Sequence, residues 1–356
     1  MKKIFILLLS MALGALMGWF GVMYSPFIGF FPTAFAFFAA VIFQIILHEG
    51  GHMIMGLATG YRFISFRILS FAVVKDGSEL RFKKYSLRGT AGQCLMLPPD
   101  NEIEKPYFLY NAGGVLFNII FSAVFAIQAA FFPVSPFFGM LFSCSAVFGF
   151  YLAVTNGLPF IMEIPNDAKN ICAIRKDPVS LTSFYHQLET VYLLSEGVRF
   201  KDMPQRLFEM PENADMTSPL NFAVKLMEAQ KISELGRYDE AKEIYACLWP
   251  YSKKTAPFFA DSLSCEYMFL ELITSCNREL IDRLYDSGAQ KFLKATAKTP
   301  SACRILYAYE RYYNGSMEKA EKYAAAFEKN LSHTQFEAEK SYEKELFTAA
   351  LHKNSL

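Results

Sequence analysis

The chain has 356 residues, of which 53% are hydrophobic and only 19% are charged, and it contains 36 phenylalanines. Its mean hydropathy of +0.20 fits an ordinary soluble globular protein poorly. A formal net charge of +1 provides no field that attracts phosphate groups, so no nucleic-acid partner is expected. The seven cysteines form no C-x-x-C pair, so we expect reduced thiols rather than a disulfide framework or a thiolate zinc site.

Charged residues are distributed unevenly along the chain. Residues 1–60 contain 3 of them, residues 61–105 contain 13, residues 106–162 contain none and residues 163–356 contain 53. This pattern predicts a membrane-embedded domain over 1–175, with a polar cytoplasmic hairpin loop at 61–105, and a soluble domain over 178–356. The expected fold class is mainly α: about four membrane-crossing helices in a bundle, a small β-hairpin insertion and a soluble α-helical repeat domain.

The two uncharged runs are each too long for one membrane crossing, which takes about 20 helical residues. Two prolines and a glycine within 24–32 divide the first run and predict helices near 4–23 and 34–57. A proline-containing break at 132–136 divides the second run and predicts helices near 107–131 and 137–158. The first of these four segments also resembles a cleavable secretory signal, but we interpret it as a retained anchor.

Lysines and arginines predict how the four helices are oriented, because positively charged short loops stay in the cytoplasm. They occur before the first helix and in the loop between the second and third, but not in the turns at 24–33 and 132–136. We therefore expect a multi-pass protein of a bacterial-type cell membrane, with both termini in the cytoplasm.

An H-E-x-x-H motif lies near the cytoplasmic end of the second predicted helix, between His48 and His52. Histidines four residues apart share one helix face, so both imidazoles can bind one Zn²⁺, while Glu49 can accept a proton from water. The alternative is that these are ordinary polar residues at a helix end. Ionisable groups within a membrane helix are costly to bury and normally have a function, which favours a metal site.

A zinc hydrolase needs a third protein ligand, and two carboxylates are candidates. Glu79 lies in a polar hairpin, where a solvated glutamate beside a turn is the ordinary alternative. Asp167 follows two prolines that end the fourth helix at the level of the two histidines, so an irregular loop can turn it back towards them. For Asp167 the alternative is that Asn166 and Asp167 simply cap the next helix. For the remaining histidines we expect surface or packing roles; these are His186, His333 and His352.

Two further elements extend the motif. Gly113 and Gly114 precede Asn118 in the third predicted helix, and a segment from Asn156 to Pro159 precedes Asp167. With the H-E-x-x-H motif, these elements make residues 30–175 resemble the site-2 protease family of intramembrane zinc metalloproteases.

The resemblance implies a set of roles for the site residues. His48, His52 and Asp167 would bind Zn²⁺, and Glu49 would be the general base. Asn118 would contact the substrate backbone. From the residues alone, the amide of Asn118 can equally bond a neighbouring helix to satisfy its own polar atoms.

Residues 61–88 alternate partly between apolar and polar around Asp76 and Gly77, which predicts a β-hairpin. Its arginines and lysines can simply rest on lipid headgroups. The family resemblance instead implies a function for the hairpin: its strand edge would pair with an unwound segment of the substrate. Strand addition supplies main-chain hydrogen bonds to an extended peptide without requiring one sequence.

From residue 178 onward, apolar residues recur at helical spacing. The segments around Gly236 and Gly315 resemble tetratricopeptide-type helical hairpins, with a degenerate middle copy at Cys276. Such hairpins require only helices that stack on one another, but they can also offer a groove for a peptide or protein regulator.

These observations together predict a zinc-dependent intramembrane endopeptidase that cleaves a membrane-embedded or juxtamembrane protein segment in the lipid bilayer. One alternative is a non-catalytic membrane scaffold, or a metal-binding membrane protein, whose helical repeats recruit partners. Another is a transporter or metal sensor that uses the histidine pair. The transporter is less favoured because four crossings contain no evident duplicated half.

Overall fold

The structure is a computed structural model, and it describes residues 2–99 and 106–353. The described part is mainly helical, with a small four-stranded antiparallel sheet. The chain divides into two compact units. The first comprises Met1–Leu69, Ala91–Ile161 and Pro165–Cys172, and the second comprises Ser70–Thr90, Met162–Ile164 and Ala173–Leu356.

Four helices in the first unit are long and apolar enough to cross a membrane. They are α1 (Lys2–Ile28), α2 (Phe30–Ala58), α3 (Tyr107–Phe131) and α4 (Pro136–Gly157). The bounds of α3 and α4 agree with the predicted segments to within one residue, because the prolines beside them stop a helix where the sequence suggested.

The break between α1 and α2 differs from the prediction. Residues 24–32 were expected to form a turn, but only Gly29 is non-helical, with a φ of 81°. Pro32 lies in the first turn of α2, where a backbone N–H has no intrahelical partner and its loss is tolerated. One glycine in the left-handed region is therefore sufficient to reverse the chain, and both helices are longer than predicted.

The backbones of α2 and α3 come into direct contact at two glycines. A Cβ atom added to Gly51 would overlap the backbone carbonyl of Gly113, and one added to Gly113 would overlap that of Gly51. This close approach brings the H-E-x-x-H segment of α2 against the first half of α3. It explains why glycines interrupt both helices at a cost in helix propensity.

The polar segment after α2 contains four strands, whereas one hairpin was predicted. They are β1 (Arg62–Ile68), β2 (Phe71–Asp76), β3 (Glu79–Lys84) and β4 (Gly92–Leu97). The predicted hairpin around Asp76 and Gly77 is present as β2 and β3, in the second unit. In the first unit β1 pairs antiparallel with β4, with Ile68 opposite Gly92. Between β1 and β2 the chain turns at Leu69, a non-glycine residue with a φ of 54° that gives no sequence signal.

The remaining helices continue to the end of the described chain. They are α5 (Asp167–Lys176), α6 (Pro178–Ser195), α7 (Pro219–Glu234), α8 (Tyr238–Leu248), α9 (Pro257–Ile273), α10 (Arg278–Leu284), α11 (Ser287–Ala295), α12 (Pro300–Ala308), α13 (Met317–Asn330) and α14 (Glu337–Leu351). Helices α7 to α14 share one apolar core that includes Phe222, Phe269 and Phe327.

Three helical hairpins in this core follow a regular spacing. A residue in the left-handed region separates the helices of each pair: Gly236 between α7 and α8, Cys276 between α9 and α10, and Gly315 before α13. These turns recur about every 40 residues, an interval typical of helical-repeat proteins. Assignment to the tetratricopeptide class stays a prediction.

Candidate metal centre

His48 and His52 lie one turn apart on the same face of α2, and both are buried. Their Nε2 atoms are 3.2 Å apart. Room for the two rings comes from Gly114 on α3, where a Cβ atom would lie 2.6 Å from both His48 Cε1 and His52 Nε2. The i, i+4 spacing and this glycine therefore direct both imidazoles to one point.

Asp167 is turned towards the histidines by its neighbour Asn166. The Asn166 Oδ1 accepts a hydrogen bond from the backbone N–H of Lys169 at 2.9 Å, which is the capping bond of α5. Its Nδ2 donates to the carbonyls of Thr155 and Leu158, both at 2.6 Å, at the end of α4. Of the two residues considered as caps, Asn166 performs that role, and the Asp167 carboxylate does not.

The three groups converge closely. The Asp167 Oδ2 lies 3.2 Å from His48 Nε2 and 3.5 Å from His52 Nε2. The three candidate ligand atoms all lie within 4.8 Å of one another. Within the described part of the chain, this Oδ2 is buried without a hydrogen-bond partner.

Neighbouring groups determine which nitrogen of each histidine carries the proton. His52 Nδ1 lies 2.7 Å from the backbone carbonyl of Tyr110, which can only accept, so Nδ1 is the donor. His48 Nδ1 lies 2.6 Å from Asn118 Oδ1. The Asn118 amide is oriented by its Nδ2, which donates to the backbone carbonyl of Gln44 at 3.1 Å. With Nδ1 engaged in this way, His48 and His52 both direct their Nε2 atoms at the centre.

The two Nε2 atoms and the Asp167 Oδ2 need positive charge between them, which either a metal ion or a proton on Nε2 supplies. A metal ion meets that requirement directly, and the arrangement in which each ligand histidine donates its other N–H to a carbonyl oxygen is common in metal sites. Burial disfavours ionisation of Asp167, but attraction to the imidazoles of His52 and His48 in their protonated form, with the hydrogen bonds that they then donate, holds the pKa of its carboxyl below the ordinary value. Asp167 is therefore a carboxylate, as a metal ligand must be.

Glu49 lies beside this centre but is not one of the three converging groups. It is 7% exposed and packs against Gly92, the first residue of β4. A Cβ atom at position 92 would overlap the Glu49 carboxylate. Glycine at the start of β4 therefore makes space for a carboxylate next to the candidate ligands.

The other two polar candidates from the sequence occupy different surroundings. Asn118 is fully buried and bonds both His48 and Gln44, so its amide connects α3 to α2. Contact with a substrate stays a prediction for Asn118. Glu79 is exposed at the start of β3 and pairs with Arg81 at 3.2 Å. It is therefore the solvated glutamate of the ordinary alternative and lies outside the group of candidate ligands.

Sequence reasoning missed three neighbours of the centre, Gln44, the Tyr110 carbonyl and Gly92, and it considered Asn166 only as a helix cap. Gln44 had a usable signal, because it is a polar side chain one turn before His48 in an uncharged helix. Asn166 had the signal of a capping residue type. The carbonyl of Tyr110 and the small size of Gly92 depend on tertiary contacts, for which a single sequence provides no signal.

Comparisons with known proteins give no match: no family model, no curated protein and no solved structure is similar to this chain. Function is therefore inferred from the residues and geometry of the chain itself.

Proposed function

We propose that the protein is a zinc-dependent intramembrane endopeptidase of the site-2 protease type. The observation that carries this proposal is the convergence of Asp167 with His48 and His52, which lie with Glu49 on a helix apolar enough to cross a membrane. Buried ionisable groups in such a helix normally serve a function.

The donor set suits Zn²⁺. Two imidazole nitrogens and one carboxylate oxygen are ligands of catalytic zinc sites, which keep a fourth position open for a reactant. The buried Asp167 Oδ2 without a hydrogen-bond partner in the described chain is the ligand atom that such an ion would satisfy. When bound, the ion supplies Lewis acidity, which polarises a carbonyl group and lowers the pKa of water.

Glu49 is the general base in this proposal. It accepts the proton of the attacking water molecule and returns it to the amine that leaves when the peptide bond breaks. Its position is set by α2 on one side and by Gly92 on the other. The Nδ1–H bonds of His48 and His52 fix the direction of both rings and leave Nε2 as the ligand atom.

The edge of β4 is the proposed place for the substrate. β4 pairs with β1 on one side, and across residues 2–99 and 106–353 no strand pairs with its other side. Gly92 of this strand lies against Glu49. A membrane-embedded or juxtamembrane segment that adds to this edge in extended form brings its backbone to the general base, and main-chain bonding leaves the side chains variable.

The membrane arrangement of the proposal has four crossings, with both termini in the cytoplasm. Residues 178–356 then form a cytoplasmic helical domain, and the regular hairpins of α7 to α13 suit recruitment of a peptide or protein regulator.

Glu49→Gln in the purified full-length chain tests the proposed base. Zinc is expected to stay bound, because Glu49 is not a ligand. Cleavage of a membrane-segment reporter is expected to fall by at least about 100-fold, because general base catalysis is lost. Glu79→Gln, which removes an exposed carboxylate, is the control and should cleave normally.

Full cleavage by zinc-loaded Glu49→Gln would contradict the role of Glu49. Absence of zinc from the wild-type chain, or its retention by Asp167→Ala, would contradict the metal centre. Zinc binding without any cleavage would instead fit the non-catalytic metal-binding scaffold.

A further inference from the structure

Gln44 connects three helices at a point that the candidate active site does not include. It is completely buried on α2, one turn before His48. Its Oε1 accepts a hydrogen bond from Asn118 Nδ2 at 2.9 Å, and its Nε2 donates to the backbone carbonyl of Ser145 on α4 at 2.9 Å. Both ends of the side-chain amide therefore have partners of defined direction.

The fold makes space for this amide. Gly149 on α4 lies against it, and a Cβ atom there would be 2.6 Å from both Cδ and Nε2 of Gln44. The bond to Ser145 leaves the Gln44 amide one orientation, with Oε1 towards Asn118. Since the Ser145 carbonyl can only accept, that orientation is fixed by a group that does not titrate.

We propose that Gln44 is a positioning residue for the metal centre: through Asn118 it fixes the tautomer and ring direction of His48. The inference rests on the metal site of the proposed function and extends it by one residue. Gln44 Oε1 and the Gln44 backbone carbonyl both require Asn118 Nδ2 to face them. Asn118 Oδ1 must then face His48, whose Nδ1 donates to it.

The alternative orientation shows what Gln44 prevents. If the Asn118 amide turned over, Nδ2 would face His48, and Nδ1 would have to accept. The ring proton would then lie on Nε2, directed at Asp167 Oδ2 only 3.2 Å away. A metal ion would have to displace that proton before it could bind.

The test is the zinc affinity of full-length Gln44→Met, measured by competition with a chelator in detergent or nanodiscs. Affinity is expected to fall about 10-fold, at the lower end for groups that orient metal ligands, because the Gln44 backbone carbonyl remains. The Co²⁺-loaded variant should also have an altered visible absorption spectrum. Unchanged affinity and spectrum would overturn the inference.

Ser122→Ala is the matched control. Ser122 is buried on α3 one turn after Asn118, lies against the same Gly149, and its Oγ has no hydrogen-bond partner in the described part of the chain. This variant should bind zinc as the wild type does. A loss equal to that of Gln44→Met would mean that the region responds to any change in packing, and would overturn the specific role.

Two more variants separate positioning from simple packing. Asn118→Leu should lose more affinity than Gln44→Met, and the double variant should lose no more than Asn118→Leu alone, because both residues act through His48. Gln44→Glu, which burial keeps protonated, retains an oxygen acceptor for Asn118 and a hydroxyl donor for the Ser145 carbonyl, and should stay within about 3-fold of wild type. Additive losses, or a Gln44→Glu loss as large as that of Asn118→Leu, would overturn the inference. The comparison of Gln44→Glu with Asn118→Leu decides it even if Gln44→Met does not fold.

Failure of this inference differs from failure of the proposed function. Equal zinc affinity in wild type and Gln44→Met would leave the endopeptidase intact. Zinc binding without peptide cleavage would remove the endopeptidase and leave the Gln44 measurement fully interpretable.

Discussion

Asn166 and Asp167 are adjacent, yet their side chains have separate tasks. Asn166 binds the end of α4 and the start of α5 at once, through both ends of its amide. Asp167 is the first residue of α5, and its carboxylate lies at the two histidines. A side chain that satisfies the loop backbone thus allows the next one to be directed inward.

Asn166→Ala is therefore expected to weaken the metal centre as well as α5. Loss of the cap costs about 1 kcal/mol of stability. Because the Asp167 loop loses its anchor, zinc affinity should fall by about 10-fold, as for other residues that orient ligands. Chelator competition on the full-length chain measures the affinity.

Asn277→Ala is the matched control for this prediction. Asn277 caps α10 in the second unit by accepting from Leu280 N at 3.2 Å. It should cost similar stability without any change in zinc affinity. Equal zinc affinities for Asn166→Ala and Asn277→Ala would show that Asn166 acts only as a cap.

The residues of the candidate centre differ in how far the sequence could predict them. His48 and His52 follow from their spacing on a helix, and Asp167 follows from its position after two prolines; the structure brings all three together. Gln44 and Asn166 act through hydrogen bonds to backbone carbonyls of other elements. The partners of these two side chains depend on how the helices pack, so the sequence could not show which carbonyls Gln44 and Asn166 would bond.

At the scale of elements, prediction succeeded where a strong local signal ends a helix. The bounds of α3 and α4 follow from flanking prolines and from the absence of charge. It failed where the chain turns on one residue with an unusual φ, as at Gly29 and Leu69. At Leu69 the backbone N–H donates to the distant carbonyl of Ala91 at 2.7 Å, a tertiary contact for which the local sequence carries no signal.

Helix α14 carries the clearest pH-sensitive group outside the apolar helices. Glu339 accepts hydrogen bonds from the backbone N–H groups of Gln335 and Phe336 at 3.0 and 3.1 Å. Burial raises the pKa of Glu339 from 4.5 to about 7, despite these two bonds. The folded chain therefore binds a proton that the unfolded chain releases between pH 4.5 and 7, and stability falls as pH rises through that window.

Glu339→Gln should remove this dependence, because the amide oxygen keeps both acceptor bonds without a charge. At pH 8 the variant should be more stable than wild type, by up to about 3 kcal/mol because each pKa unit corresponds to about 1.4 kcal/mol, and at pH 4 the two should be equal. Thermal unfolding at both pH values measures the difference. Glu337→Gln, at a more exposed position in the same first turn, should give no gain at pH 8. A Glu339→Gln advantage that persisted at pH 4 would contradict the assignment.

At the scale of the whole molecule, the uneven distribution of charge matches the positions of the candidate ligands and of the helical hairpins. Each group of candidate ligands lies where one of the two uncharged stretches ends. His48 and His52 are near the C-terminal end of α2, and Asp167 follows the C-terminal end of α4. The charged remainder contains the helical hairpins. The short segment Met162–Ile164, which immediately precedes Pro165, Asn166 and Asp167, belongs to the compact unit of those hairpins.

Arg88 holds that segment to the helical hairpins. Its guanidinium lies 2.9 Å from Glu163 Oε2 and 3.1 Å from Asp261 Oδ2 on α9, and it covers the ring of Phe292 at 5.5 Å. The backbone carbonyl of Glu163 also accepts from Phe258 N at 3.0 Å. Without the cation, two carboxylates would share one site unpaired, which is unfavourable for both.

Arg88→Met, which keeps length without charge, should loosen the segment before Asp167. Hydrogen exchange of the amides of residues 162–164 should become about 5-fold faster in the full-length chain, corresponding to about 1 kcal/mol for a partly exposed ion pair. Since these residues lead directly to Asp167, zinc affinity should fall as well, by less than in Asn166→Ala. Arg206→Met removes only an exposed pair with Glu189 and should leave both measurements unchanged. Faster exchange at 162–164 with wild-type zinc affinity would show that the helical unit holds this segment without influence on the metal centre.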